Sequence, residues 1–104
     1  MPLSSGEDDE FRVSMSSLIS AEIRRLQRLA TEEGRRTEFL IAFRSISERL
    51  RVSPRELGEP FQDMDKAHLQ LRHVLLRPVY MEFAVHETER IVFIRTVKYL
   101  ELPS

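Results

Sequence analysis

"RPVYMEFAVHETERIVFIRTVKYL", residues 77–100, is the stretch that decides the fold. Val79, Met81, Phe83 and Val85 alternate with Tyr80, Glu82 and Ala84, the period of two that a half-buried strand shows. The polar run HETER, 86–90, breaks the pattern and marks a turn. Beyond it Ile91, Val92, Phe93 and Ile94 are apolar without interruption, until Arg95, Thr96, Val97, Lys98 and Tyr99 restore alternation. The stretch therefore reads as an antiparallel hairpin. An apolar run of this kind suits a strand covered on both faces. The second cover is either the chain's own helices and loops, or a partner laid on the face bearing Val92, Phe93 and Ile94.

One further strand is expected upstream, near 68–75. Leu69 and Leu71 point one way there, and His68, Gln70 and Arg72 the other. If the leucines face Met81 or Phe83, Arg72 lies across from Tyr80 or Glu82 on the polar face. Beside Glu82 it would form a plain cross-strand ion pair, a common and weak surface contact. "SPREL", 53–57, is a short helix start with Ser53 as cap, Pro54 at the first position and Glu56 reaching back. Gly58 and Pro60 stop it, and the segment to about Ala67 reads as connecting loop.

Two amphipathic segments precede this region. Ser16 or Ser17 offers an N-cap, and Ile19, Ile23, Leu26 and Ala30 recur at helical spacing, with Leu18 and Leu29 widening the stripe, until Gly34 supplies a stop. From Arg36 onward Phe39, Phe43, Ile46 and Leu50 form a second stripe, flanked by Leu40 and Ile41. Two antiparallel helices joined by a short turn result. Before them, in FRVSM, Phe11, Val13 and Met15 alternate with Arg12 and Ser14 as in a short strand.

Composition narrows the function. The 104 residues fit one domain, expected over 11–104 behind a disordered acidic N-terminal tail, 1–10. Glu7, Asp8, Asp9 and Glu10 concentrate negative charge there, leaving 16 basic against 13 acidic residues in the remainder, short of the strong positive bias typical of non-specific nucleic-acid binders. Absence of cysteine excludes disulfides, thiolate zinc sites and a cysteine nucleophile. No apolar run approaches the roughly 20 residues of a membrane span, and MPLSSGEDDE has neither the basic nor the apolar region of a secretory signal, so cytoplasmic residence is expected. With glycine only at 6, 34 and 58 there is no phosphate-cradling loop, and no cofactor or metal is called for. His68 and His73, five apart on the expected strand, face opposite sides, and His86 falls in a turn. The Glu32–Glu33 pair reads as solvated surface.

The order strand, helix, helix, three strands, together with "ELGEPFQDMDKAHLQLRHVLLRPVYMEFAVHETERIVFIRTVKYL" (56–100), resembles the RelE/ParE family of toxins from bacterial type II toxin–antitoxin pairs. The resemblance spans about residues 11–100. It is carried by a loop containing Gly, a strand bearing Arg, the hairpin VYMEFAV, a short acidic turn, and IVFIRTV followed by basic and aromatic residues. It implies an α+β fold of order β-α-α-β-β-β, with a two-helix hairpin packed on a mainly antiparallel sheet. It also implies a cognate antitoxin as partner, and either ribosome-dependent cleavage of mRNA or inhibition of DNA gyrase. A non-catalytic interaction module, binding a peptide or forming a homodimer, is the third reading.

Metal-independent RNA cleavage needs a group to deprotonate the 2′-hydroxyl, one to protonate the leaving oxygen, and cations where phosphate charge grows. By the resemblance, the catalytic candidates are Arg72, Arg77, Lys98 and Tyr99. The arginines and Lys98 would hold the phosphate, and Tyr99 or Lys98 would move the proton. Tyr80 and Arg95 are the substrate-binding candidates. Where RNA-cleaving members place an Arg in the third strand, this chain has Tyr80, with Glu82 close by to repel phosphate.

Overall fold

Residues 10–101 are described in a computed structural model; the expected tail, 1–10, lies outside the described residues apart from Glu10. Strand β1 (Arg12–Ser14) leads into helix α1 (Ser17–Glu32) and helix α2 (Arg36–Val52). These are followed by β2 (Glu59–Met64), β3 (Leu69–Leu76), β4 (Val79–His86) and β5 (Ile91–Tyr99). The strands form one mixed sheet in the order β1-β5-β4-β3-β2, antiparallel except where β1 runs parallel to β5. The fold is thus α+β, two helices packed on a five-stranded sheet. Among the described residues no helix is long and apolar enough to cross a membrane.

The helices form where their spacing placed them. Ser16 is the N-cap of α1, its hydroxyl oxygen accepting from the Ile19 N–H at 3.2 Å. Gly34, at φ +76°, turns the chain between the helices. Leu26 and Ala30 of α1, with Phe39, Ala42, Ile46 and Leu50 of α2, are buried against the sheet. Leu18 does not widen the stripe: it is 80 % exposed, and Ile41 is likewise in solvent. On the sheet, Val79, Met81, Phe83 and Val85 meet the helices together with Val92, Ile94, Val97 and Tyr99. The chain's own helices therefore cover one face of β5, while Phe93 on the other face is 39 % exposed.

Three expectations are corrected. The segment read as loop is strand β2, paired antiparallel to β3 with a bulge at Phe61. Every residue of it is exposed, so no apolar alternation announced it, and Pro60 is tolerated because β2 is an edge. Pro54–Glu56 forms a single 3₁₀ turn in which Ser53 makes no side-chain cap; the Ser53 carbonyl instead accepts from the Glu56 N–H. The faces of β3 are the reverse of those expected. Arg72 is registered against Phe83 and Gln70 against Val85, on the helix side, whereas Leu71 lies opposite Ala84 on the outer side.

Candidate nucleic-acid interface

Arg72 illustrates why the inversion matters. Only 7 % exposed, it donates from Nε to the Leu57 carbonyl at 2.9 Å, from one terminal nitrogen to the Gly58 carbonyl at 3.1 Å, and from the other to Gln70 Oε1 at 2.7 Å. Burial lowers its pKa. The guanidinium thus fastens the Leu57–Gly58 turn to β3 immediately before β2 begins. Gly58 makes that approach possible: at φ +65°, a Cβ there would lie 2.0 Å from the His73 carbonyl oxygen. The expected pairing of Arg72 with Tyr80 or Glu82 does not occur, because those residues occupy the opposite face.

The other expected catalytic groups also separate. Arg77 sits in the β3–β4 turn and lines a groove with Glu38, Ile41, Ala42 and Ser45 of α2, on the helix side. Tyr99 points into the core. Its hydroxyl donates to Glu33 Oε1 at 2.7 Å, its ring packs edge-on to Phe39, and Arg35 stands 5.6 Å above it. Burial, reinforced by the bond to Glu33, raises the Tyr99 pKa. Glu33 is accordingly a partner of the core rather than free surface. Of the catalytic four only Lys98 reaches the outer face, where it is exposed and registered against Tyr80. Arg95, the extra residue of a bulge in β5, is exposed between Ile94 and Thr96.

The outer face divides in two. At one end Leu71, Ala84 and Phe93 lie in line across three strands; Leu71 and Ala84 are buried, although neither contacts the helices' side of the sheet. At the other end a row of rings crosses four strands. Phe61 of β2 is 5.4 Å from His73 of β3, His73 is 6.0 Å from Tyr80 of β4, and the Lys98 ammonium of β5 is 5.9 Å from the Tyr80 ring. These separations are those of ring–ring and cation–π contacts. The Tyr80 hydroxyl donates to Glu82 Oε2 at 2.8 Å; that bond, with partial burial, raises the Tyr80 pKa and keeps the phenol a neutral donor.

The chain matches no family model, no curated protein and no solved structure.

Phe61 and His73 were missed as members of this row. Phe61 falls in the segment that reads as loop, and the histidine spacing raises His73 only as a metal ligand. The one available signal was an aromatic residue close to Pro60 in a segment with little else apolar. His68 is not on β3 but precedes it in a left-handed conformation, φ 58°, with its ring 6.2 Å from that of His86. His86 Nδ1 accepts from the N–H groups of Thr88 and Glu89 and so caps the β4–β5 turn. Among the described residues no group of three His, Cys, Asp or Glu is placed to hold a metal.

Proposed function

We propose that the chain is a RelE/ParE-like toxin that engages single-stranded RNA on the polar half of its outer sheet face. The supporting observation is the row Phe61–His73–Tyr80, closed by Lys98. Single-stranded bases stack on exposed aromatic faces, each contact worth about 1–3 kcal/mol, while nearby cations track the phosphates. Lys98 and Arg95 supply the cations, and Tyr80 supplies both a ring and a neutral hydroxyl. The sheet order, with a short first strand parallel to the last, is consistent with the β-α-α-β-β-β resemblance once β2 is added. In this reading Arg72, Arg77 and Tyr99 support the fold and the hairpin, and do not touch RNA. The inhibitory partner is a cognate antitoxin whose carboxylates mask Arg95 and Lys98.

The reading is tested by inducing the chain alone in a bacterial cytoplasm and following protein and DNA synthesis separately. Protein synthesis is expected to stop first, and Tyr80→Ala with Lys98→Ala to relieve the arrest. Binding to a 2′-O-methyl RNA oligomer should weaken with salt, the log–log slope becoming shallower by about 0.7 for each of Arg95 and Lys98 removed. DNA synthesis stopping first, with RNA intact, would point instead to gyrase. Unimpaired growth would leave an interaction module.

A further inference from the structure

Within that RNA-binding reading, on which this inference rests, the structure assigns the acid–base chemistry to two residues that the resemblance did not supply. We infer that His73 and Glu82 are the catalytic pair of a metal-independent transesterification, with Glu82 as general base and His73 as general acid.

His73 and Glu82 are directly opposed on β3 and β4, on the outer face, and both are partly exposed. Directly opposed residues of an antiparallel pair have Cβ atoms about 4.5–5.5 Å apart. An imidazole and a carboxylate so placed can address two oxygens of one phosphodiester. Tyr80 fixes Glu82 by donating to Oε2, which leaves Oε1 to accept a substrate hydroxyl. The contacts with Phe61 and Tyr80 hold the His73 ring from two sides. Glu59 of β2 is registered against the far side of His73, and Thr96 of β5 against Glu82. Lys98 and the exposed Arg95 bring positive charge to the same end of the sheet.

The step balances without an added reagent. Glu82 takes the proton of the ribose 2′-hydroxyl, and the 2′-oxygen forms a bond to phosphorus. The bond from phosphorus to the 5′-oxygen breaks, and that oxygen takes a proton from the His73 imidazolium. Lys98 and Arg95 stabilise the phosphorane charge. The products end in a 2′,3′-cyclic phosphate and a 5′-hydroxyl, and a 2′-deoxy residue at the scissile position blocks the reaction.

The test uses ribosomes programmed with a defined mRNA and the full chain. His73→Gln and Glu82→Gln are each expected to slow cleavage at saturating ribosome concentration by about 10²–10⁴-fold, a loss in kcat separate from the weaker binding that removal of the stacked His73 ring causes. Imidazole in solution should restore part of the cleavage lost in His73→Ala, an effect that repair of a fold defect would not produce. Cleavage at the unsubstituted rate in both Gln variants, or products with 5′-phosphate ends, would overturn the assignment while leaving RNA binding intact. Failure of the unsubstituted chain to bind RNA would overturn the parent reading, and this assignment with it.

Discussion

Replacing Arg72 by alanine separates a structural role from a catalytic one. The side chain is 7 % exposed and donates three hydrogen bonds, to the carbonyls of Leu57 and Gly58 and to Gln70 Oε1. Its loss leaves two backbone acceptors and one side-chain acceptor poorly served at the root of β2. Each unmade bond to a buried group costs about 1–3 kcal/mol, and water entering the vacated space recovers part of that. A net loss of about 3 kcal/mol is expected, or about 12 °C or more in Tm for a domain of this size. Urea denaturation followed by circular dichroism measures it directly. Lysine should rescue little, because one ammonium cannot span three acceptors that a planar fork reaches. Methionine should restore packing without restoring the bonds. At temperatures where Arg72→Ala remains folded, its RNA affinity should match that of the unsubstituted chain. An unchanged denaturation midpoint combined with abolished RNA cleavage would refute this reasoning and place Arg72 in contact with substrate.

Three further outcomes follow from individual contacts. Gly58→Ala must resolve a Cβ placed 2.0 Å from the His73 carbonyl oxygen at positive φ, and should lose about 3 kcal/mol or more, read as a lowered thermal midpoint. Ser16→Ala removes the hydroxyl acceptor for the Ile19 N–H and should cost about 1 kcal/mol, whereas Ser17→Ala, one residue inside the helix, should cost almost nothing. The Tyr99 pKa is raised on folding, chiefly by burial, so its contribution is complete below the unfolded value of about 10 and is lost as pH rises through the folded one. The stability of the unsubstituted chain should therefore fall more steeply between pH 9 and pH 12 than that of Tyr99→Phe. Parallel curves for the two proteins would sink that explanation.

The elements legible in the sequence were those whose burial writes a period. The helical stripes ending in Ala30 and Leu50 and the alternation Val79–Val85 are legible because helix and sheet bury those residues against one another. β2 was not legible: an edge strand with all residues exposed has no apolar face to announce it, and it is held by Gly58's close approach and by a guanidinium from the neighbouring strand. The faces of β3 were inverted for a related reason. The rule that leucines face the core fails when the outer face has its own apolar half, with Leu71 beside Ala84 and Phe93, and when a buried arginine finds carbonyl partners on the inner side. That inversion moved Arg72 away from the outer face and brought His73 to Tyr80 and Glu82. Tyr80, Arg95 and Lys98 came from the resemblance; alternation alone would set Arg95 and Lys98, three apart, on opposite faces, and the bulge between Ile94 and Thr96 was not legible. The neighbours contributed by β2 and β3 required the register.

The most direct measurement is a two-dimensional amide NMR titration of the chain with a non-cleavable 2′-O-methyl RNA. The expected result is a contiguous set of shifted resonances at Phe61, His73, Tyr80, Glu82, Arg95 and Lys98, with Ile41 and Arg77 on the helix side unmoved. Shifts confined to the groove between α2 and the β3–β4 turn, or a spectrum unchanged at saturating RNA, would contradict the account.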